Sequence, residues 1–304
     1  RAPVWQEAFG ARAGFPQDHL LFAGHLPANR SSLRTVLSDY DMILSVGAPV
    51  FRQYAYEPGP LFGDDTQVAV VTGVPAEAHV SPAALAVVGS PAEVCKALVR
   101  RVEPRRGASP ESMPRPAPPA PPPMGAPLRA SHVLAALAER LPRNAILLEE
   151  CPSNRSELHA RIPAREPLGF ISAAMGGLGF AMPAAIGIRM AIESRPTLAV
   201  VGDGSSLYAI QCLWSAVHYR VGVLFIVLDN DGYAIMDQLA SRYGGSGPWP
   251  DFAEADISTI ARGFGCEARD IEAHDGLVEA LDTALPELAA RESPLLLRVR
   301  VARD

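Results

Sequence analysis

A run of prolines divides this sequence into two parts and limits what the chain can fold into. Ten prolines lie between Pro104 and Pro127 in a chain of 304 residues. Proline has no backbone N–H and disfavours helical geometry in the residue before it, so this stretch can form neither a helix nor a central strand. We therefore predict an extended linker over residues 104–129, between a first domain at residues 1–103 and a second at residues 130–304.

Both parts alternate short β-branched segments with helical patterns. In the first part, strands are predicted at 41–46 and 66–72, and Ser90 and Glu93 form a capping-box pattern that begins a helix at 90–102. In the second part, helices are predicted at 133–141, 207–219 and 275–290, and strands at 145–148, 198–201, 223–228 and 295–301. The predicted fold class is α/β, with two doubly wound, Rossmann-like parallel-sheet domains joined by the proline-rich linker.

Charge and composition argue against several classes of function. The net charge of −6 is unlike that of a nucleic-acid-binding protein, and no apolar run approaches the ~20 residues of a membrane span. Lys96 is the only lysine and lies in the predicted helix at 90–102, which disfavours P-loop and pyridoxal-phosphate chemistry. The four cysteines have no paired spacing, so we expect a reducing, cytoplasmic location.

Two predicted strands of the second part end in polar loops. Gly-Asp-Gly follows the strand at 198–201, and Asp-Asn-Asp-Gly follows the strand at 223–228. If these strands are neighbours, Asp203 and Asn230 lie at the same edge of the sheet. A carboxylate, an amide oxygen and the carbonyl of Gly232 are ligands that suit Mg²⁺. Each loop taken alone is more typical of an ordinary turn, and the case for a site comes from the pair.

The same loops could approach a phosphate group. Gly202 and Gly204 allow the backbone to turn tightly and come close to a ligand. Ser205, which we expect to open the next helix, could donate a hydrogen bond to a diphosphate at the positive end of that helix.

The spacing of 27 positions from Asp203 to Asn230 resembles the signature of thiamine-diphosphate-dependent enzymes. Other segments resemble the 2-keto acid decarboxylases of that group, in particular the benzoylformate decarboxylases: Glu-Cys-Pro-Ser at 150–153, Ala-Met-Gly-Gly-Leu-Gly-Phe-Ala-Met-Pro-Ala-Ala-Ile-Gly at 174–187 and Val-Gly-Asp-Gly-Ser at 201–205. In the first part, Gly-Ala-Pro-Val-Phe-Arg at 47–52 and Tyr-Glu-Pro-Gly at 56–59 resemble the middle domain of that family. The resemblance thus covers nearly the whole chain except the linker.

The resemblance implies thiamine diphosphate and Mg²⁺ as cofactors. Mg²⁺ would be held by the side chains of Asp203 and Asn230 and by the carbonyl of Gly232. The carbonyl of Gly176 would accept a hydrogen bond from the aminopyrimidine, and Leu178 would be the apolar wedge that bends the cofactor, although an ordinary core leucine would fit the same pattern. The remaining cofactor contacts implied are Ser153, Gly202, Gly204, Ser205 and Tyr233.

The implied reaction is decarboxylation of a 2-keto acid, such as benzoylformate to benzaldehyde and CO₂, in which the cofactor supplies the difficult chemistry. Tyr54 falls where the family has a catalytic histidine, and a phenol is a poor proton shuttle near neutral pH. His25 and His79 are the histidines nearest to it in sequence. Ile235 and Leu239 resemble positions that line the substrate pocket, or they are core residues of a helix.

The family's N-terminal domain, which carries the glutamate that activates the pyrimidine ring, has no counterpart in these residues. We therefore expect that domain to come from the same or a partner chain, in a homodimer or homotetramer. Two alternatives stay open. One is an acetolactate-synthase-like carboligase on the same scaffold, and the other is a non-catalytic subunit that retains the fold.

Overall fold

A computed structural model describes residues 2–53, 56–103, 114–242, 244–252 and 254–303. The chain forms two compact units, the first comprising Arg1–Gly10 and His19–Met113 and the second comprising Ala11–Asp18 and Pro114–Asp304. Gln17 shows why the short segment 11–18 belongs to the second unit. Its backbone N–H donates to the carbonyl of Ala164 at 2.8 Å, and its side-chain oxygen accepts from the N–H of the same residue at 2.8 Å. The division at 1–103, 104–129 and 130–304 stays a prediction.

The first unit is built from parallel strands and short helices. Its elements are β1 (Val4–Gln6), β2 (Phe22–His25), α1 (Arg30–Leu37), β3 (Met42–Val46), β4 (Gln67–Thr72), α2 (Pro75–Val80), β5 (Leu85–Val88) and α3 (Pro91–Arg101). β1 pairs with β2, and β3, β4 and β5 form a separate sheet in that order. The predicted strands at 41–46 and 66–72 and the predicted helix at 90–102 are confirmed, with the Ser90 hydroxyl accepting from the Glu93 N–H.

The second unit contains one large parallel sheet. Its elements are α4 (Ala130–Arg140), β6 (Ile146–Glu150), α5 (Arg155–Arg161), β7 (Phe170–Ser172), α6 (Ala181–Ala191), β8 (Thr197–Gly202), α7 (Asp203–Leu207), α8 (Cys212–His218), β9 (Leu224–Asp229), α9 (Ala234–Arg242), α10 (Ile257–Gly263), β10 (Glu267–Ile271), α11 (His274–Glu287) and β11 (Leu295–Arg300). The strand order is β10-β11-β9-β8-β6-β7, and every pairing is parallel.

Two hydrophobic cores cover the two faces of this sheet. Along β8, Leu198 and Val200 belong to one core, whereas Ala199 and Val201 belong to the other. Successive side chains of a strand point to opposite faces, so a strand that is apolar at every position must be covered on both sides. The first core includes residues of α4, α5 and α11, and the second includes residues of α6, α8 and α10. The predicted α/β class with a doubly wound parallel sheet is confirmed for this unit.

Two predicted elements of the second unit differ from the structure. The single helix predicted at 207–219 is wrong, because α7 ends at Leu207 and α8 begins at Cys212. Between the two helices the backbone forms tighter turns with hydrogen bonds to the residue three positions back. The N–H of Cys212, for example, donates to the carbonyl of Ala209. The strand predicted at 145–148 continues to Glu150, since Glu149 and Glu150 pair with Val200 and Val201 of β8.

Part of the predicted linker lies against the second unit. Arg115 donates to the carbonyl of Gln17 at 2.8 Å and to that of Ala160 at 3.0 Å, and Arg161 donates to the carbonyl of Ala117. Residues 104–113 lie outside the described part of the chain. Among the described helices, none is both long and apolar enough to cross a membrane.

Gly222, between α8 and β9, provides a test of the packing. A Cβ at this position would lie 1.8 Å from the backbone oxygen of Arg291, which cannot move without disturbing the entry to β11. We expect Gly222→Ala to lower the free energy of unfolding by about 3 kcal/mol through overpacking, measured by urea denaturation. The control Gly276→Ala lies in α11 with open space around its Cβ and should raise stability by about 0.5–1 kcal/mol. Equal effects of the two substitutions would contradict the packing described here.

Candidate functional site

The register of β8 and β9 brings the two polar loops together. The two strands are parallel neighbours, and Gly202 at the end of β8 pairs with Leu228 on β9. Asp203 directly follows β8 and Asn230 directly follows β9. Both residues therefore lie at the same edge of the sheet, as predicted. This is the edge where ligands bind in open parallel sheets.

The carboxylate of Asp203 organises this edge. It is buried and accepts three backbone N–H groups, from Gly204 at 2.7 Å, from Asn230 at 3.1 Å and from Gly232 at 3.0 Å. Burial raises the pKa of Asp203 to about 6, with a further contribution from the negative charge of Asp229, while the three hydrogen bonds act in the opposite direction. The site therefore holds a carboxylate that a nearby cation would stabilise.

The side-chain oxygen of Asn230 lacks a partner. It is buried, and it accepts no hydrogen bond from the described residues. A buried unpaired acceptor costs free energy unless a donor or a cation satisfies it. The Gly232 carbonyl accepts the N–H of Ala234 at 3.1 Å, which leaves its second lone pair available. These oxygens fit a small hard cation such as Mg²⁺.

A narrow pocket brings most of the predicted residues together. Its free volume is about 40 Å³, and its lining residues are Cys151, Pro152, Ser153, Asn154, Leu178, Gly202, Asp203, Gly204, Ser205, Leu228, Asn230, Gly232, Tyr233 and Ile235. Gly176, exposed and with a φ of +75°, and Leu239 on α9 are not among the lining residues. Tyr54 lies outside the described residues, and His25 and His79 belong to the first unit.

Two aromatic side chains lie over Gly204, one of the residues that line this pocket. A Cβ at Gly204 would be 2.7 Å from the ring of Phe252 and 2.9 Å from the ring of Tyr233, so a larger residue does not fit. The two rings meet edge to face at 4.7 Å. Burial, together with the neighbouring Tyr208 hydroxyl, raises the pKa of Tyr233 to about 12. Its hydroxyl is therefore a hydrogen-bond donor at neutral pH.

Ser205 is buried in the first turn of α7. Because α7 has only five residues, it supplies much less of a helix dipole than the longer helix expected from the sequence. A diphosphate at this position would therefore depend on individual hydroxyl and N–H donors.

Comparison with known proteins identifies the family. Residues 154–299 match the family model described as thiamine pyrophosphate enzyme, C-terminal TPP binding domain. Over 300 residues the chain is 37% identical to a benzoylformate decarboxylase of Pseudomonas aeruginosa, covering 98% of this chain and 56% of that relative. Residues 154–299 therefore belong to the family of thiamine-diphosphate-dependent enzymes, and the similarity to a benzoylformate decarboxylase extends over nearly the whole chain.

Solved structures of thiamine-diphosphate enzymes agree with this assignment. A 4-hydroxybenzoylformate decarboxylase from Rhodococcus jostii superposes with a TM-score of 0.92 at 30% identity, covering 100% of this chain and 56% of that one. A benzoylformate decarboxylase from Polynucleobacter necessarius also superposes with a TM-score of 0.92, at 28% identity. This superposition covers 100% of this chain and 57% of that one. An acetolactate synthase large subunit of Escherichia coli is 28% identical, over 58% of this chain and 31% of its own length. The chain thus spans little more than half the length of the benzoylformate decarboxylases it matches.

Glu150 is a site residue whose role sequence reasoning missed. Its buried carboxylate accepts the N–H groups of Gly179, Phe180 and Ala181, each at 2.7 Å, and so fixes the start of α6 behind Leu178. Burial raises the pKa of Glu150, although these hydrogen bonds act in the opposite direction. The position of an acidic residue at the end of a strand was the available signal, but its partners are 29 to 31 residues away. Phe252 gave no signal, because it belongs to no motif.

Replacing Glu150 by glutamine tests this arrangement. The side-chain amide of glutamine would place an N–H donor against the backbone N–H groups that Glu150 now accepts. We therefore expect Glu150→Gln to lower the free energy of unfolding by about 2 kcal/mol. Amide exchange at residues 179–181 should also become faster. The control Glu157→Gln removes an i,i+4 pair with Arg161 and should cost no more than about 0.5 kcal/mol. Similar losses in both variants, with unchanged exchange, would contradict a fixing role for Glu150.

Proposed function

We propose that this chain binds thiamine diphosphate through Mg²⁺ in the pocket at Asp203 and Asn230. We propose further that it serves the non-oxidative decarboxylation of a 2-keto acid. An aromatic substrate, benzoylformate, would give benzaldehyde and CO₂ after uptake of one proton. The observation that carries the cofactor assignment is the buried, unpaired side-chain oxygen of Asn230 beside the buried carboxylate of Asp203.

Mg²⁺ would be held by the side chains of Asp203 and Asn230 and by the carbonyl of Gly232. The cation would satisfy the unpaired Asn230 oxygen and favour the ionised form of Asp203, whose pKa is raised by burial. The remaining positions of an octahedral ion suit phosphate oxygens and water. Among the described residues, no cluster of three or more His, Cys, Asp or Glu side chains offers a competing metal site.

The diphosphate would be bound by residues of the same pocket. Ser153 and Ser205 carry hydroxyl donors, and the raised pKa of Tyr233 keeps its hydroxyl protonated. Gly202 and Gly204 leave room for a close approach to the backbone. Because Phe252 and Tyr233 lie over Gly204, their side chains would have to move aside as the ligand enters.

When bound, thiamine diphosphate would supply the electron-accepting group that decarboxylation of a 2-keto acid requires. This chain's own contribution is binding, orientation and exclusion of water. Leu178 and Ile235 belong to the apolar part of the pocket wall. A water-poor surface disfavours a charged substrate carboxylate relative to a transition state with dispersed charge. Gly176 would orient the aminopyrimidine through its carbonyl, and Leu239 would extend the substrate side. Tyr54 stays a proposed catalytic residue.

Decarboxylation is preferred to carboligation because of the extent of the similarity. The Pseudomonas aeruginosa benzoylformate decarboxylase aligns over 98% of this chain, whereas the Escherichia coli acetolactate synthase aligns over 58%. A non-catalytic role is disfavoured because a scaffold without ligands has no need for an unpaired acceptor at Asn230.

We also propose that a pyrimidine-binding domain, from the same or a partner chain, covers the site in a homodimer or homotetramer. The supporting observation is a set of large exposed side chains on α6, α8 and the adjoining turns, where Phe180 is 37%, Tyr208 56% and Trp214 53% exposed. Apolar surface of this kind marks interaction sites. The four cysteines are free thiols, which supports a reducing cytoplasm.

The metal assignment can be tested with Asn230→Ala. Titration calorimetry with thiamine diphosphate, and separately with inorganic diphosphate, would be done on the full chain with and without Mg²⁺. We expect Mg²⁺ to strengthen both interactions, and Asn230→Ala to weaken them at least tenfold, or about 1.4 kcal/mol. The unfolding temperature of the ligand-free variant should change little, because no hydrogen bond to the replaced oxygen is lost.

Asn230→Asp is the matched control, since it keeps an oxygen ligand at the same position. It should retain Mg²⁺-dependent binding of diphosphate. If wild type binds diphosphate equally well without Mg²⁺, or if Asn230→Ala binds as wild type does, the metal assignment is wrong.

The reaction can be tested by product analysis. With the pyrimidine-binding domain present, and with benzoylformate, Mg²⁺ and thiamine diphosphate added, we expect benzaldehyde and CO₂ in equal amounts, and no product with Asp203→Ala. Benzaldehyde should remain the main product when acetaldehyde is added as a possible acceptor. Formation of a 2-hydroxy ketone as the main product, with little free aldehyde, would support the carboligase instead.

A further inference from the structure

The loop that carries the proposed metal ligands is tied to β11 by two arginines. β11 lies beside β9, and Arg300 is directly paired with Asp229. Arg298 and Arg300 are two residues apart on the same strand, so their side chains lie on the same face of the sheet. Both guanidinium groups therefore reach the end of β9, where the loop begins.

Each of these arginines contacts a carboxylate next to Asn230. Arg298 pairs with Asp229, which is 3% exposed, and Nη1 of Arg300 lies 3.3 Å from the same carboxylate. Arg300 also binds Asp231 through both terminal nitrogens and both carboxylate oxygens. Such two-point pairing fixes direction as well as distance.

The backbone of Asp231 shows what this pairing holds in place. Asp231 has a φ of +59°, in the left-handed region that residues with a Cβ rarely adopt. Its N–H donates to Asp229 at 3.2 Å, and the N–H groups of Asn230 and Gly232 on either side donate to Asp203. The turn at Asp231 thus determines how Asn230 and Gly232 face Asp203.

Charge supports the same conclusion. Three carboxylates, those of Asp203, Asp229 and Asp231, lie close together around this loop. The arginines neutralise Asp229 and Asp231, whereas none of the ion pairs among the described residues involves Asp203. The carboxylate left for a cation is therefore the one beside the unpaired oxygen of Asn230.

We propose that Arg300 is a positioning residue for the metal site. By holding Asp231 in its left-handed turn, it keeps the side chain of Asn230 and the carbonyl of Gly232 directed to one cation beside Asp203. This inference rests on the proposed function of Asp203 and Asn230 as metal ligands.

The test uses two measurements on the full chain. One is amide exchange of the metal-free chain. The other is a titration with Mn²⁺ in the presence of inorganic diphosphate, monitored by water-proton relaxation. Arg300→Met keeps most of the stem and removes the guanidinium. We expect it to speed exchange of the Asn230 and Gly232 amides and to weaken Mn²⁺ binding, each about tenfold. Arg300→Lys keeps the charge but cannot bind in two-point fashion, and should recover less than half of the loss.

Asp231→Asn removes the same pairing while keeping a residue that tolerates positive φ. Its effects should match those of Arg300→Met, and the double variant should be no worse than either single one. Arg269→Met is the matched control. Arg269 is 43% exposed and paired with Glu267, much as Arg300 is 45% exposed and paired with Asp231. It should leave both measurements unchanged.

The two hypotheses fail in different ways. If Arg300→Met leaves amide exchange at Asn230 and Gly232 unchanged, the positioning role is wrong, whatever the metal does. The metal-site assignment is wrong if wild type shows slow amide exchange at Asn230 and Gly232 but does not bind Mn²⁺ with diphosphate. It is also wrong if Asp203→Ala binds Mn²⁺ as well as wild type does.

Discussion

The structure of the site depends on one hydrogen-bonded carboxylate, that of Asp203. It stands at the end of β8 and accepts N–H groups from its own loop and from the loop that follows β9. The parallel pairing of the two strands sets the distance between the loops, and the carboxylate joins them. The cost of burying its charge is visible in the raised pKa of Asp203. A cation at the same place would lower that cost, so the group that joins the two loops is also the proposed metal ligand.

The other carboxylates at this edge of the sheet are provided with partners of their own. Glu149 is paired with Arg155 and accepts the Ser172 hydroxyl, and Glu150 accepts three backbone N–H groups. Asp229 is paired with arginines of β11. Buried charge is tolerated where it is compensated. Asp203, at the proposed metal position, thus differs from Glu149 and Asp229 in having no arginine partner among the described residues.

The sequence predicted much of this arrangement because its signals are local. Strands that are apolar at every position, such as β8 and β9, require cover on both faces and therefore a doubly wound sheet. The positions of Asp203 and Asn230 at the ends of β8 and β9 were predictable because each residue follows such a strand directly. The helix predicted at 207–219 was wrong, since periodicity does not reveal a short tightened turn between α7 and α8. Phe252 could not be found, because its contact with Gly204 spans 48 positions and follows no pattern.

The sequence by itself determined the α/β class, the order of the strands along the chain and the residue types available at their ends. Those features follow from the spacing of apolar residues and from turn chemistry, which act over a few residues. Only the tertiary structure decided which strands are neighbours and which charges meet. Glu150 reaches the start of α6, and Arg300 reaches Asp231, across separations of about 30 and 69 residues. Contacts of that kind depend on the register of the completed sheet, which no local pattern encodes.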